Sequence, residues 1–372
     1  MPDPFLSRQS RFTTRLLLVF VCLWIAIVFL VPGCDQPAPE QPDTTASDPT
    51  PETAPTPVTQ AIRDAWNHYH IHGVDALAQP VACVNELKEQ VTAFIRNTGE
   101  DALATARAQL DLCRNLYDIS RVFVAANAST RQAMKKLHEQ IGLPLEMPGY
   151  IDAVPGYPYS GIVNDTSVAI SKEELLRQHG LTDITDVSLG FDVIEFLLWG
   201  EHRKNAETAP RPLADFIAKQ TWDTADYELG LAELDIAEHP NNRRRRYLEI
   251  AVMILEEHLN QLATLWNKNT LPPLNLAEAD DMQQRIKRTI RNRLSAPGAA
   301  TNEQLLKTLL PLFIPSDDPE NGADKLVAWL GLNNPEALGE LNHPEKPITA
   351  KYPALATLFS VPMETPEQTA QK

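Results

Sequence analysis

The sequence lacks the short motifs that mark several large enzyme classes. It has no glycine-rich phosphate-binding loop, no nucleophile elbow and no Cys-x-x-Cys pair. These absences argue against nucleotide-binding enzymes, α/β hydrolases and c-type haem proteins. Alternating apolar and polar runs of strand length are also missing, whereas apolar residues recur every three or four positions. The sequence therefore predicts an all-α protein.

The chain has fewer basic than acidic residues. The chain has 33 Lys and Arg against 49 Asp and Glu, which gives a formal net charge of −16. A surface this acidic repels phosphate backbones and anionic lipid, and it raises the local concentration of cations. Nucleic acid is therefore not an expected partner.

Residues 1–33 have the pattern of a lipoprotein signal peptide or membrane anchor. Three arginines (Arg8, Arg11 and Arg15) precede an unbroken apolar run, Leu16–Val31. The run ends at a sequence that resembles the lipobox of bacterial lipoproteins, with Cys34 as the lipidation site. Pro32 departs from the usual small residue, so an uncleaved anchor stays open as the alternative. Both outcomes place the body of the protein in the cell envelope, facing the periplasm, and leave inner or outer membrane undecided.

Residues 34–57 predict a disordered tether. From Asp35 to Pro57 the chain has seven prolines and five acidic residues, with no basic and no aromatic residue. Such a segment buries too little apolar surface to fold, and its prolines favour extended conformations.

Two cysteines remain for the body of the protein, Cys83 and Cys113. Helical periodicity on both sides of Thr98 predicts a helical hairpin that turns there. Each cysteine is fifteen residues from the turn, so both lie at the same height, roughly 22 Å along their helices. In an oxidising envelope this predicts a disulfide, with two separate buried thiols as the alternative.

Residues 58–360 predict a helical domain, followed by a tail at 361–372. Helices are expected at 64–72, from Pro80 to about 94, and at 103–124, 129–140, 171–179, 184–199, 243–268, 277–294, 302–313 and 325–330. The segment 142–165 lacks any helical period and has four prolines and four glycines. Its tyrosines and isoleucines make it too apolar for a disordered loop, so we expect it to pack near a site.

The most informative helix is the one predicted from Ile184 to Trp199. Apolar residues cover most of its circumference, which is typical of a buried helix. One narrow polar strip contains Ser188, Asp192 and Glu195. The two acidic residues are three apart, so their carboxylates share a face.

Two neighbouring anions in a buried helix need a compensating cation or a raised pKa. One interpretation is a metal site, with Asp192 and Glu195 as ligands. The other is a buried ion-pair network closed by arginines such as Arg121 or Arg246. The residue pattern alone does not separate the two. The arginine run 243–246 also has two interpretations. It pairs with other carboxylates of the chain, or one of its members reaches Asp192 and Glu195.

Residues 190–200 (GFDVIEFLLWG) resemble the signature of the imelysin family, which is Gly-x-His-x-x-Glu followed by an aromatic residue, two leucines, Trp and Gly. Residues 148–152 and 157–165 are similar to the loop that precedes this signature. Residues 112–123 and 243–266 resemble the helices on either side. The resemblance covers about 61–266, and past Leu294 no family pattern is recognised.

The resemblance implies an envelope protein with two helical sub-bundles, here divided near residues 200–240, and a cleft that holds the signature. It further implies a link to iron uptake, with other envelope iron-uptake or redox proteins as expected partners. Some members are described as metallopeptidases, a role in which Glu195 is the catalytic residue. Residues expected to line the site are Ser188, Gly190, Trp199, Asp152, Tyr159, Ser160, Arg121 and Arg246.

The sequence departs from the signature at Asp192, where the family has His. Carboxylates suit a hard cation such as iron or calcium better than zinc. The departure weakens the peptidase hypothesis, and the chain also lacks a His-Glu-x-x-His motif. The first expectation is therefore a lipid-anchored metal-binding protein that assists iron uptake. The alternatives are a metallopeptidase and a structural partner protein whose metal site is degenerate.

Overall fold

The computed structural model describes residues 56–123, 128–228, 230–315 and 322–362. These residues form twelve α-helices joined by turns and short 3₁₀ segments, with isolated β-bridges but no strand among them. The all-α prediction is confirmed. The helices are α1 (Gln60–Arg96), α2 (Glu100–Ser120), α3 (Ala128–Gly142), α4 (Lys172–Gln178), α5 (Phe191–Trp199), α6 (Thr224–Glu228), α7 (Pro240–Asn269), α8 (Leu276–Leu294), α9 (Glu303–Leu309), α10 (Ala323–Leu330), α11 (Pro335–Leu341) and α12 (Tyr352–Leu358).

Helix α1 is continuous over 37 residues, so the predicted end at Gly73 and the predicted new start at Pro80 are wrong. Gly73 is needed for packing, because a Cβ there would lie 2.5 Å from the indole ring of Trp266. Pro80 removes one backbone hydrogen bond from the helix. The buried side chains of Leu77 and Val84 hold the helix against its neighbours on either side of that gap.

The predicted hairpin is present. Helix α1 ends at Arg96 and α2 begins at Glu100, so the chain turns at Thr98. Cys83 and Cys113 form a disulfide across the two helices, with Cα atoms 5.3 Å apart. The bond fixes the register of α2 on α1, and α2 contributes side chains to the candidate site.

The central element is α7, which packs against α1, α3, α4 and α5. Its buried face includes Tyr247, Leu255 and Trp266. Trp266 lies in an aromatic cluster with Trp66, Tyr69 and Phe123, whose ring centroids are 5.8–6.0 Å from its own. The described residues from 56 onward form one compact unit, and the division into two sub-bundles near 200–240 stays a prediction.

The C-terminal third contains two more helices than the sequence pattern predicted. Helices α8 to α10 match the predicted segments, whereas α11 and α12 were not predicted. Each of these two has only seven residues and a proline in its first turn, which is too short for a helical period to be recognised. At the start of the unit, Pro57 pairs with Asn275, and Leu276 N–H donates to the carbonyl of Thr56.

The signal or anchor segment, Cys34 and nearly all of the acidic tether lie outside the described residues, as does the tail from residue 363. None of the helices in the described ranges combines the length and apolarity needed to cross a bilayer.

Candidate functional site

The helix of the site is shorter than predicted. Helix α5 begins at Phe191, and residues 184–190 are not helical, so Ile184 is exposed and Ser188 is not on the strip that bears Asp192. Gly190 determines this start with φ +97° and ψ −176°, a conformation that is essentially restricted to glycine. A Cβ at Gly190 would also lie 2.5 Å from the carbonyl oxygen of Ile141 at the end of α3.

Asp192 and Glu195 lie on one face of α5, as predicted, and a single guanidinium from α2 bridges them. Arg114 Nη2 donates to Asp192 Oδ1, and Arg114 Nη1 lies 3.0 Å from Glu195 Oε2. The second carboxylate oxygen of Asp192 accepts a hydrogen bond from the backbone N–H of Leu145 at 3.1 Å. Both carboxylates are therefore held in fixed orientations toward α2.

The three charged groups sum to −1, and they lie at the edge of the fold rather than inside it. The exposed fractions of their side chains are 11% for Asp192, 18% for Glu195 and 33% for Arg114. Burial raises the pKa of Glu195, Arg114 opposes this only in part, and Asp192 adds to it. Burial opposes the charge of Arg114, but Asp192 and Glu195 outweigh it and raise its pKa. The nearby guanidinium groups of Arg114 and Arg203 thus compensate the carboxylate of Glu195 incompletely.

Arg114 belongs to a charged strip of α2, which consists of Arg107, Asp111, Arg114 and Asp118 at spacings of four, three and four. Arg107 Nη2 donates to the carbonyl of Leu198 at 2.6 Å and so caps the C-terminus of α5. Asp111 pairs with Arg203, which follows α5. The charge of Asp118 also acts on Arg114. The charged strip of α2 therefore contacts α5 through Arg107 and Arg114, and the segment after α5 through Asp111.

The two arginines named from sequence lie elsewhere. Arg121 is half-exposed and lies 3.7 Å from Asp118, and Arg246 is exposed on α7. The sequence expectation had the correct type of counter-ion but the wrong residue. Arg114 has a signal that could have found it, because an Arg-Asp-Arg-Asp series at helical spacing predicts one charged face on a helix beside a buried stripe.

Three other predicted site residues have structural contacts. Trp199, at the end of α5, lies between the guanidinium groups of Arg107 and Arg203, at 5.3 and 4.4 Å from its ring. Ser188 Oγ donates to the carbonyl of Leu175, and its own carbonyl accepts from Tyr247. Gly190 sets the helix start. Of these, only Trp199 and Gly190 adjoin the carboxylate pair.

The irregular segment 142–165 forms a second network, built on Asp152. This carboxylate is fully buried and lies 2.5 Å from Arg244 Nε and 3.1 Å from Arg211 Nη1. Burial alone would raise the pKa of Asp152, but Arg211 and Arg244 keep it below its usual value. Ser160 Oγ contacts the backbone carbonyl of Asp152 at 3.4 Å, whereas Tyr159 is exposed.

Two members of the arginine run at the start of α7, Arg243 and Arg244, have their partners in this network. Arg243 is fully buried, pairs with Glu238 and donates to the backbone carbonyls of residues 162, 163, 165 and 168. Arg244 binds Asp152. The run therefore holds the segment 142–165 against α7, and none of its members is paired with Asp192 or Glu195 in the described contacts.

The donor set limits what the site could hold. In the described part of the chain, no group of three or more His, Cys, Asp and Glu side chains is placed to hold a metal ion. Asp192 and Glu195 supply two carboxylates, and Arg114 occupies the position between them. A cation bound there would displace Arg114 and complete its coordination with water.

The sequence model of one protein family, which is described as imelysin and carries a peptidase label, matches residues 73–331. The match includes α2, the buried loop network, α5 and α7. It also extends through α8 to the end of α10, which corrects the expectation that the family pattern stops near Leu294. No curated protein matches the chain significantly. Because the family match spans well over half of the sequence, the chain belongs to the imelysin family.

Proposed function

We propose that this protein is a lipid-anchored member of the imelysin family that binds a hard metal cation at Asp192 and Glu195. In this proposal it works in the cell envelope and assists iron uptake, together with other envelope iron-uptake or redox proteins. The observation that supports it best is the incomplete compensation of two oriented carboxylates by one guanidinium. The lipobox-like sequence at Cys34 and the acidic tether support the location.

The chemistry of the pair favours a hard cation. Carboxylate oxygens bind iron, calcium and magnesium, whereas zinc sites prefer His and Cys. The residual charge of the site is −1, and the whole chain has a net charge of −16, so the field around the site attracts cations. Two protein ligands are enough only for an ion that keeps several water molecules.

Binding requires Arg114 to move away from the carboxylates. Its neighbours on the charged strip of α2 are Asp111 and Asp118, one turn away on either side. Asp118 makes only a 3.7 Å contact with the half-exposed Arg121, so it is available to Arg114. The metal and the guanidinium would thus compete for the same two carboxylates.

The competition between a metal ion and Arg114 can be tested by metal titration. Purified protein is titrated with Fe²⁺ under anaerobic conditions, with Ca²⁺ and with Zn²⁺, and melting temperature and bound metal are measured with and without chelator. We expect Fe²⁺ or Ca²⁺ to raise the melting temperature of the wild type. The double variant Asp192→Asn/Glu195→Gln should lose this shift, because amides are far weaker ligands for hard cations. Arg114→Gln should bind the metal more tightly than the wild type, and the control Arg121→Gln should behave as wild type.

A melting temperature that none of these metals changes, in both the wild type and Arg114→Gln, would reject the metal site. Arg114 would then be the permanent counter-ion, and the protein would be the structural partner with a degenerate site.

The metallopeptidase alternative has one observation in its favour, which is the raised pKa of Glu195. A carboxyl group whose pKa is raised toward neutrality is suited to general acid–base catalysis. The discriminating measurement is cleavage of a denatured protein substrate by the metal-loaded protein. Activity that chelator and Glu195→Gln both abolish would favour the peptidase, and its absence leaves the binding function.

The anchor is tested separately. Cys34→Ser should abolish lipid labelling and processing of the N-terminal segment in a bacterial host. Unchanged size together with unchanged membrane attachment would favour the uncleaved anchor.

A further inference from the structure

Helix α8 borders a groove of about 620 Å³ that is distant in sequence from the carboxylate pair. One face of α8 supplies Gln284, Lys287, Arg288 and Arg291, at spacings of three, one and three. The opposite wall is formed by residues at the C-terminal ends of α10 and α12, which are Gly331, Leu332, Leu358, Phe359 and Ser360. The groove thus combines three cationic side chains, the polar amides of Gln284 and Asn292, and an apolar wall.

Among the residues that the structure describes, no carboxylate lines this groove, although the chain has sixteen more acidic than basic residues. In the described residues, Lys287 and Arg288 have no ion-pair partner. Like charges three and four residues apart on a helix repel one another. The charges on this face therefore destabilise the free helix unless an anion lies among them.

The helix macrodipole explains only part of this arrangement. Cations at the C-terminus of a helix are favourable, but the effect is confined to about the last turn. Arg291 lies in the last turn of α8, whereas Lys287 and Arg288 are seven and six residues before its end at Leu294. If these cations balanced acidic residues of the chain, carboxylates would lie beside them, and none is found among the described residues that line the groove.

The groove is also partly preorganised. Arg291 Nη2 donates to the carbonyl of Ser360 at 2.9 Å, which directs this guanidinium across the groove. Ser360 has φ +52° because it ends α12 in a Schellman cap, in which Ser360 N–H donates to the carbonyl of Thr357 and Val361 N–H donates to that of Ala356. This cap fixes the backbone around the Ser360 carbonyl that Arg291 contacts.

We propose that this groove binds a compact polyanion, a small molecule with two or more carboxylate or phosphate groups. Arg288 and Arg291 would bind its oxygens through paired N–H donors, and Lys287 would supply a third charge. The volume suits a small molecule rather than a protein segment. Long-range repulsion from the acidic chain disfavours any anion, so binding has to come from the local contacts in this groove.

The test is a calorimetric titration of the full chain with citrate and with inorganic phosphate, at low salt and at physiological salt. We expect at least one of the two anions to bind at both salt concentrations, more weakly at the higher one. The variant Lys287→Gln/Arg288→Gln should weaken binding about tenfold or more, because two charge-assisted contacts are lost. The matched control Lys136→Gln/Arg246→Gln removes two exposed cations that do not line the groove and should bind as wild type.

Three results would overturn the proposal. Neither anion binds, or both double variants weaken binding equally, or the groove variant binds as tightly as the wild type. Hydrogen exchange adds an independent readout, since a bound anion should slow exchange at residues 358–360 in the wild type and not in the groove variant. Both readouts are independent of metal binding at Asp192.

Discussion

The protein has two networks of acidic residues and arginines that use the same groups in opposite ways. In the buried network, Asp152 is fully buried between Arg211 and Arg244, whose side chains are 6% exposed. Arg211 also pairs with Asp215, and the third arginine, Arg243, pairs with Glu238. In the edge network, one partly exposed guanidinium serves two carboxylates. The buried network has as many arginines as carboxylates, and we call it closed. The edge network has one carboxylate more than it has arginines, and we call it open.

This difference indicates how to assign roles to buried charges. A buried group that is fully paired has nothing left to bind a ligand, and its contacts determine where the surrounding chain lies. An incompletely paired group near the surface keeps affinity for a cation from solvent. By this criterion the Asp152 network holds the segment 142–165 on α7, and the Asp192–Glu195 pair is the candidate for function.

The largest expected effect distinguishes the two networks by stability. Asp152→Asn should destabilise the protein by about 3–5 kcal/mol, because Arg211 and Arg244 stay buried without their counter-ion. Urea denaturation at neutral pH measures it. The matched control is Asp111→Asn, which breaks an exposed pair with Arg203 and should cost less than about 1 kcal/mol. Equal small losses for both would show that the Asp152 network is not closed in solution.

The second prediction concerns the glycine that positions the pair. Gly190→Ala should cost about 2–3 kcal/mol, because φ +97° with ψ −176° is strained for alanine and the new Cβ meets the Ile141 carbonyl. Gly156→Ala is the control, since this glycine also has a positive φ but open space around it. Thermal and urea unfolding compare the two variants. A smaller loss at Gly190 than at Gly156 would contradict the close approach of α5 to α3.

The third prediction addresses the edge network without metal. In the presence of chelator, Arg114→Gln should lose about 1–2 kcal/mol, less than Asp152→Asn, because its contacts are partly exposed to water. Arg121→Gln, the control from the same helix, should lose less than Arg114→Gln. A loss above about 3 kcal/mol for Arg114→Gln would place this residue in the same structural class as Arg244.

The features that the sequence predicted correctly are those that local periodicity and residue spacing determine. The fold class, the hairpin at Thr98, the Cys83–Cys113 bond and the shared face of Asp192 and Glu195 all depend on residues close together in the chain. The errors depend on tertiary contacts. Gly73 and Gly190 have opposite roles, since one permits close packing inside a helix and the other starts a helix within an apolar run. Composition alone does not distinguish them.

The identity of the counter-ion of Asp192 and Glu195 also depends on tertiary contacts. Arg107, Arg114 and Arg121 are all on or beside α2, and only the rotation of α2 against α5 decides which one reaches the carboxylates. The disulfide fixes the register of α2 on α1, but it does not determine how α2 faces α5. The spacing of the charged strip contained this information, once α5 was known to lie beside α2.

The smallest expected effect is a pH dependence with opposite signs in the two networks. The pKa of Asp152 is lowered in the folded protein, so its stabilisation is complete above the unfolded value near 4 and is lost as the pH falls through the folded pKa. The pKa of Glu195 is raised, so the folded state holds this proton more tightly. The contribution of this proton to stability is complete below the pKa of Glu195 in the unfolded chain, near 4.3, and is lost as the pH rises through the pKa of the folded protein.

The two effects separate in the window from about pH 4 to pH 6. The free energy of unfolding is measured there for wild type, Glu195→Gln and Asp152→Asn in the presence of chelator. The free energy of unfolding of the wild type, minus that of Glu195→Gln, should fall as the pH rises, because the wild type loses the stabilisation from its bound proton whereas glutamine copies the protonated acid and does not titrate. The difference between wild type and Asp152→Asn should stay nearly constant, because Asp152 is ionised in both the folded and the unfolded state over most of this window. If the signed difference for Glu195→Gln instead rises with pH, Arg114 compensates both carboxylates fully, and the edge network is as closed as the buried one.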